Sequence, residues 1–205
     1  MAGGGEIKNA NALYSASNLV FSFTDYTLKE RLASRLCSVY GRWLGGFRTY
    51  ESRGAKSRQG FEIEVLDGAQ SGPAGPEGRG RVVLASKNLF SPVAFNKYAV
   101  NLPALEETAL GALEAGAASG RVLFFDELGP MALLSEKFSS RAVALLFSGR
   151  PCVVFYRKGA RVFEDAFAKM ADTVIIELTP VNWAEAVKGA QAWLDRLVGG
   201  MENFK

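Results

Sequence analysis

Short apolar runs of about six residues alternate along the chain with longer segments in which apolar residues recur every three or four positions. The short runs predict β-strands, and the longer segments predict amphipathic helices. The predicted strands are Asn18 to Phe23, Phe47 to Ser52, Gly60 to Leu66, Arg81 to Ala85, the apolar run after Arg121, Pro151 to Tyr156 and Thr173 to Leu178. The predicted helices are Thr27 to Tyr40, Pro103 to Ala117, Ser135 to Phe147, Val162 to Met170 and Asn182 to Leu197.

Strands that alternate with helices favour an α/β fold, with a mostly parallel sheet and helices on both of its faces. Gly45 and Gly46 interrupt the pattern after the first helix. The strands that follow, on either side of a Gly- and Pro-rich loop from Asp67 to Gly80, predict a small antiparallel β insertion at about residues 45 to 90. We expect one domain from residue 18 to 198, a flexible lead-in at residues 1 to 17, and a C-terminal tail at residues 199 to 205.

The stretch from Arg121 to Met131 carries the clearest candidate chemistry. Four consecutive apolar residues end in Asp126 and Glu127, and a Gly-Pro turn follows. A continuously apolar run predicts a strand buried on both faces, and ligands of open α/β sheets bind at the carboxyl ends of such strands. Two acids at that edge are suited to holding Mg²⁺ and polarising a water molecule. The alternative is that the acids only terminate a core strand.

Composition narrows the function classes. The net charge is only +3 and no long basic run is present, which argues against a nucleic-acid or membrane-surface partner. The sequence contains no histidine, which excludes His-based triads and His-ligated zinc. Two cysteines in a chain of 205 residues suggest a reducing compartment. With no leader-like start and no apolar run of about 18 residues, the sequence predicts a cytoplasmic protein without a membrane span.

Several short motifs match one known family. They are G-F-x-T-x-E-x-R at Gly46, Phe47, Thr49, Glu51 and Arg53; R-x-G-F at Arg58, Gly60 and Phe61, with Asp67-Gly68 after it; Y-x-V at Tyr98 to Val100, followed by Leu105-Glu106-Glu107; D-E-L-G-x-M at Asp126 to Met131; and T-x-x-N at Thr179 and Asn182. With these motifs the chain resembles the cancer-related or thermophilic type of P-loop nucleoside-triphosphatase over most of residues 18 to 198.

The resemblance implies a P-loop NTPase-type sheet and a domain that binds a nucleoside triphosphate with Mg²⁺ and hydrolyses it. By motif position, it implies that Asp126 supports the metal through water and that Glu127 orients the attacking water. It also implies that Arg53 faces the phosphates.

The phosphate-binding loop departs from the family pattern. The motif G-x-x-x-x-G-K-[ST] falls on residues 23 to 30, FTDYTLKE, where only Lys29 is retained. Glu30 replaces the metal-binding hydroxyl, so it is a candidate Mg²⁺ ligand that also brings negative charge to the phosphates. The alternative is a capping box in which Thr27 and Glu30 satisfy the amides of the helix start, and Lys29 is a solvated helix lysine. Trp183 occupies the position of an arginine that the family has after Asn182.

Three functions remain open from the sequence. The first is a degenerate member that hydrolyses nucleotide weakly or not at all and acts by binding a ligand or a protein partner. The second is an active Mg²⁺-dependent nucleoside triphosphatase with an atypical site made of Lys29, Glu30, Asp126 and Glu127. The third is a purely structural subunit that keeps the fold and uses neither acid.

Overall fold

The structure is a computed structural model that describes residues 15–54, 57–68 and 80–202. Most of the predicted lead-in, the greater part of the loop from Asp67 to Gly80, and the last three residues lie outside the described residues. No helix in the described part of the chain is both long enough and apolar enough to cross a membrane.

Within these described residues, nine strands form one mixed sheet in the order β5-β6-β4-β3-β2-β7-β8-β1-β9. The strands are β1 Asn18–Phe23, β2 Leu44–Arg53, β3 Arg58–Leu66, β4 Val82–Ser86, β5 Ala94–Phe95, β6 Tyr98–Val100, β7 Val122–Leu128, β8 Cys152–Arg157 and β9 Thr173–Leu178. The contiguous strands β2, β7, β8, β1 and β9 are parallel to one another. Strands β3, β4, β6 and β5 extend this half antiparallel.

Helices cover both faces of the parallel half. They are α1 Tyr26–Tyr40, α2 Leu110–Ala118 with a preceding π-helical segment Ala104–Ala109, α3 Glu136–Leu146, α4 Arg161–Lys169 and α5 Trp183–Glu202. Short 3₁₀ segments lie at Gly41–Trp43 and Ala132–Leu134. Side chains of α1 and α5 share one buried cluster with one face of the sheet, and side chains of α2, α3 and α4 share a second cluster with the other face. The predicted α/β fold is confirmed.

The antiparallel strands lie between Arg58 and Val100, whereas the sequence predicted an insertion at about residues 45 to 90. The difference arises at β2, which belongs to both halves of the sheet. Its first half pairs in parallel with β7, from Leu44 to Arg48, while most of its length, from Gly46 on, pairs antiparallel with β3. Strands β5 and β6 then continue the antiparallel part beyond residue 90.

The prediction that Gly45 and Gly46 break the pattern is wrong, because both lie inside β2. A Cβ atom on Gly45 would come within 2.5 Å of the Cα atom of Gly116 in α2. Gly46 has a φ of +139°, and a Cβ atom there would meet the backbone oxygen of Phe124 at 2.2 Å. The two glycines therefore allow a helix and a neighbouring strand to approach the backbone of β2 closely.

The last helix is longer than predicted. It continues past Leu197 to Glu202 and so includes residues 199 to 202 of the predicted tail. Val198 is buried and Met201 is partly buried against the cluster that α5 shares with the sheet. The apolar stripe of the helix thus extends across Gly199 and Gly200, and its burial offsets the low helix propensity of the two glycines.

Candidate functional site

The two candidate acids immediately precede the last residue of the central strand β7, and their side chains have different neighbours. Asp126 is fully buried on the side of α1 and lies opposite Arg48 in the register between β2 and β7. Glu127 lines a cavity whose apolar wall belongs to the other core cluster. The predicted pair of acids at the carboxyl end of a buried strand is present, but each acid has its own surroundings.

Lys29 is not the solvated helix lysine that the capping alternative required, because its side chain is completely buried. Its Nζ atom donates to Asp126 Oδ1 at 2.7 Å and to the backbone oxygen of Thr49 at 3.0 Å. A third contact, at 3.3 Å, reaches Glu30 Oε1. The ring of Tyr26 lies 4.2 Å from the same nitrogen atom. The structure therefore brings Lys29, Glu30 and Asp126 together.

Arg48 closes this group of charges. Its Nη2 atom lies 3.2 Å from Glu30 Oε1, and its Nε atom lies 3.7 Å from Asp126 Oδ2. Two cations, Lys29 and Arg48, thus face two carboxylates, Glu30 and Asp126. The four side chains, which we call the charge cluster, balance one another without a further ion. Buried charges are tolerated when they are paired in this way.

The ionisation of the charge cluster follows from burial and from the neighbouring charges. Burial alone would lower the pKa of Lys29, but the nearby carboxylates, Asp126 most strongly, outweigh it and raise the pKa above the usual lysine value. Burial pushes the pKa of Asp126 upward, whereas Lys29 and Arg48 act in the opposite direction. With two cations against this carboxylate and one of them at 2.7 Å, we infer that Lys29 and Asp126 form an ion pair.

The predicted capping box at Thr27 is wrong. Helix α1 begins at Tyr26, and its N-cap is Asp25, whose Oδ1 atom accepts from the Thr27 amide at 2.8 Å. Asp25 precedes Thr27 and is as good a cap residue, so the helix starts one residue earlier than predicted. Glu30 is thereby released from capping, and its carboxylate turns to Lys29 and Arg48 instead.

Tyr26 was not predicted to be functional, yet its ring packs against the Lys29 amine. Its hydroxyl donates to the backbone oxygen of Thr49 at 3.0 Å, the same oxygen that accepts from Lys29. Burial, reinforced by the charges of Asp126 and other carboxylates, raises the pKa of Tyr26 above its usual value, so the hydroxyl remains a donor. The start of α1 is therefore tied to β2 by two hydrogen bonds to one carbonyl group.

Glu127, unlike Asp126, has no cation in direct contact with it among the described residues, and its pKa lies near neutrality. Burial raises its pKa to about 7, Asp126 adds to the effect, and Lys29 and Arg157 oppose it. Its Oε2 atom is buried and has no hydrogen-bond partner among the described residues. A carboxyl group with a pKa near neutrality can both accept and release a proton at physiological pH.

Arg53 is not brought to the charge cluster. Its side chain is 71% exposed and pairs with Glu51, whose other carboxylate oxygen contacts Arg58. Arg58 in turn donates from Nε to the hydroxyl of Tyr98 at 3.2 Å. Since β2 rises by about 3.3 Å per residue, Arg53 lies roughly 16 Å along the strand from Arg48. Its predicted role at the phosphates remains a prediction.

The segment before α5 has a local structural explanation. Asn182 Oδ1 accepts from the backbone amide and the hydroxyl of Thr179, and Asn182 Nδ2 donates to the backbone oxygen of Glu177. Trp183 is partly buried, and its ring lies 4.7 Å from the guanidinium carbon of Arg31. The hydrogen bonds of Asn182 stabilise the turn from β9 into α5.

The charge cluster does not fit Mg²⁺ as it stands. Asp126 Oδ1 already accepts from Lys29, and Glu30 Oε1 already contacts Lys29 and Arg48. Across residues 15–54, 57–68 and 80–202, no three or more Asp, Glu, Cys or His side chains gather where they would hold a metal ion. A divalent cation would have to displace Lys29 from Asp126 in order to bind at this position.

Sequence reasoning missed Arg48, Tyr26 and Arg157. The sequence contains one indication of the role of Arg48, because this charged residue directly follows the apolar and small residues 44 to 47. The pairing of β2 with β7, which places Arg48 opposite Asp126, was not visible in the sequence. Arg157 directly follows the predicted strand Pro151 to Tyr156, and its place beside Gly129 depends on the register of β8 with β7.

A parallel sheet with the first helix following β1, and with acids at the end of a central strand, is the arrangement found in P-loop nucleoside triphosphatases. Two solved structures have a similar fold. The crystal structure of THEP1 from Aquifex aeolicus superposes with a TM-score of 0.69 at 23% identity, covering 83% of this chain and 95% of that one. The solution structure of a human cancer-related nucleoside triphosphatase gives 0.61 at 22% identity, covering 86% and 96%. At these identities the likeness concerns the fold.

The sequence comparisons identify the family. The family model described as NTPase matches residues 26–189. The nucleoside-triphosphatase THEP1 of Thermotoga maritima is 33% identical over 138 residues, which span 67% of this chain and 73% of the relative. That of Thermococcus kodakarensis is 30% identical over 147 residues, spanning 71% and 75%. The chain belongs to the NTPase family of the THEP1 type, as the shared motifs predicted.

Proposed function

We propose that this chain is a member of the NTPase family that acts by binding a ligand, with little or no hydrolysis of nucleoside triphosphates. The observation that carries this proposal is the complete burial of Lys29 between Asp126, the Thr49 carbonyl group and Tyr26. In a phosphate-binding loop, the lysine must be free to reach the β- and γ-phosphates. Here its donors are directed at protein oxygens.

The residues of the loop support the same conclusion. Phe23 and Leu28 stand where the motif has glycine, and both are buried. Glycine serves there because the backbone must turn its amides inward around the phosphates, and a Cβ atom disfavours such conformations by about 1 to 2 kcal/mol per residue. Asp25 accepts a hydrogen bond from the Thr27 amide at the start of α1, so this amide is not available to an anion.

One observation favours a second candidate, an active nucleoside triphosphatase. Glu127 has a buried oxygen atom without a hydrogen-bond partner in the described part of the chain, and its pKa is about 7. Both properties suit a group that accepts a proton from an attacking water. For this role, Lys29 would have to leave Asp126 so that phosphates could approach. Breaking a buried ion pair costs about 3 to 5 kcal/mol, and a bound triphosphate would have to offset that cost.

A phosphate-release assay separates the two candidates. The wild-type chain and Glu127→Gln are incubated with ATP or GTP and Mg²⁺, with the Thermotoga maritima relative as the positive control. The binding proposal expects release at or near background for both forms of this chain. Release by the wild type that is lost in Glu127→Gln would refute it and establish the second candidate.

A double variant of the charge cluster tests whether Lys29 binds a triphosphate. In Lys29→Met together with Asp126→Asn, the buried charges are removed as a pair, so we expect the fold to be retained and hydrolysis to remain at background. If Lys29 held a triphosphate in the wild type, triphosphate would raise the melting temperature of the wild type and not that of the double variant. Equal melting shifts in both forms would place any bound triphosphate elsewhere.

A further inference from the structure

A cavity lies at the carboxyl edge of the sheet, on the face opposite the charge cluster. Its walls come from β2, β3, β4, the β5–β6 turn, the π-helical segment and the turn after β7. Its apolar lining consists chiefly of Phe47, Phe61, Leu84, Phe95, Leu105 and Met131. Concave sites at this edge, with apolar walls and a few polar groups, are the usual form of ligand pockets in α/β proteins.

The first polar feature of the cavity is an unmet hydrogen bond. Glu127 Oε2 is buried without a partner in the described part of the chain, and the other oxygen of the carboxyl group faces Gly129. A Cβ atom at Gly129 would lie 3.1 Å from Glu127 Oε1. A buried acceptor without a donor lowers stability, and a ligand bearing an N–H group would supply the missing hydrogen bond.

The second feature is a rigid aromatic and cationic wall. The ring of Phe61 stacks edge to face with Tyr98 at 5.6 Å, and the guanidinium carbon of Arg58 lies 5.1 Å from the ring of Phe61. Arg58 is held in place by Glu51 and by the Tyr98 hydroxyl. Flat side chains fixed in this way favour a planar ring, since little side-chain entropy is lost on binding.

The third feature is a cation beside the acid, Arg157, which forms no ion pair within residues 15–54, 57–68 and 80–202. Arg157 is exposed, lines the cavity, and comes close enough to Glu127 to oppose the rise of its pKa. Its Cβ and Cδ atoms would lie 3.9 Å from a Cβ atom on Gly129. A ligand that donates to Glu127 therefore has a cation within reach for an attached anionic group.

We propose that this cavity binds the base of a nucleotide, with the ring against the aromatic wall, a ring or amino N–H donating to Glu127, and the phosphate near Arg157. The inference rests on the proposed binding role and moves the nucleotide from residues 23 to 30 to the opposite face of the sheet. No metal is needed, because the phosphate is met by a guanidinium group.

Titration calorimetry without metal tests the proposal, using the four common ribonucleosides, their 5′-monophosphates and inorganic phosphate alone. We expect saturable binding of at least one nucleoside and tighter binding of its monophosphate. Glu127→Leu should weaken binding of the nucleoside at least tenfold while the protein stays folded, since it replaces a half-buried acid with an apolar side chain of similar size. Met131→Trp, which narrows the cavity from a half-buried position, should abolish binding of both ligands.

Arg157→Ala and Arg161→Ala form a matched pair. Both arginines are exposed, and Arg161 begins α4 and is not among the residues that line the cavity. Arg157→Ala should weaken the monophosphate about tenfold and leave the nucleoside unchanged, whereas Arg161→Ala should change neither.

Three results would overturn the proposal. The first is no saturable binding of any nucleoside at millimolar concentration, and the second is affinity unaffected by Glu127→Leu and Met131→Trp. The third is that inorganic phosphate binds as tightly as the monophosphates, which would mean that the cavity binds an anion and does not recognise the base. Because these titrations contain neither triphosphate nor metal, they fail or succeed independently of the hydrolysis assay.

Discussion

Replacing Glu127 with glutamine should change how the stability of the protein depends on pH. Desolvation raises the pKa of this carboxyl group from 4.5 to about 7 in the folded chain. The folded state therefore keeps the proton up to about pH 7, whereas the unfolded state releases it near pH 4.5. Between pH 4.5 and 7 the folded state binds more protons than the unfolded state. Protonated Glu127 therefore contributes stability that is fully present below pH 4.5 and is lost as the pH rises through 7.

The magnitude follows from the same values. One pKa unit corresponds to about 1.4 kcal/mol, so the ionisable group costs about 3 kcal/mol of stability once the pH is well above 7. Between pH 5 and 7.5 the expected change is about 2 kcal/mol. In a chain of 205 residues this corresponds to a change in melting temperature of roughly 4 to 8 °C. Glutamine has nearly the same shape but does not titrate, so the variant should lack this loss.

Urea denaturation at half-unit steps from pH 5 to 8 measures the effect as the difference between wild type and Glu127→Gln. Taking the difference cancels groups that both proteins share, such as Asp126 and Lys29. Glu107→Gln is the matched control, since Glu107 is exposed. We expect the stability of Glu127→Gln relative to wild type to increase by about 2 kcal/mol across this range. Parallel stability curves would refute the reasoning, because they would mean that Glu127 titrates alike in both states.

Two further predictions concern the start of α1 and the contact between α2 and β2. Asp25→Ala should lower the free energy of unfolding by about 1 kcal/mol in chemical denaturation while Thr27→Ala is nearly neutral, and the reverse order would restore the capping box. Gly116→Ala should destabilise by about 1 to 3 kcal/mol, because its Cβ atom would lie 2.8 Å from the Cα atom of Gly45. Gly111→Ala, on the same helix with open space around it, should stabilise by about 0.5 to 1 kcal/mol, and equal effects of the two substitutions would contradict the close contact.

The regular elements were predictable because their signals are local. Strands β1 and β9 have the predicted limits, and the other predicted strands and the helices occur with shifts of a few residues at their ends. A mostly apolar run such as NLVFSF is typical of a strand buried on both faces, and every residue of β1 is buried. The antiparallel pairing of β4 with β3 was likewise predicted from adjacent apolar segments and is confirmed.

The state of Lys29 could not be predicted because it depends on residues about 20 and 97 positions away along the chain. From sequence alone, a lysine in the first turn of an amphipathic helix is solvated. Only the pairing of β2 with β7 brings the Thr49 carbonyl group and Asp126 to its amine. The cap had the opposite difficulty, since Asp25 and Thr27 are both good caps and local sequence does not choose between them.

Thr49 belongs to two environments at once. Its carbonyl oxygen holds Lys29 and Tyr26, and its side chain lines the cavity on the other face. Only a single strand therefore separates the buried ions from the space beside Glu127. A substitution that shifts this strand will therefore change both the charge cluster and the cavity. Variants designed to free Lys29 from the charge cluster also have to be tested for altered ligand binding in the cavity.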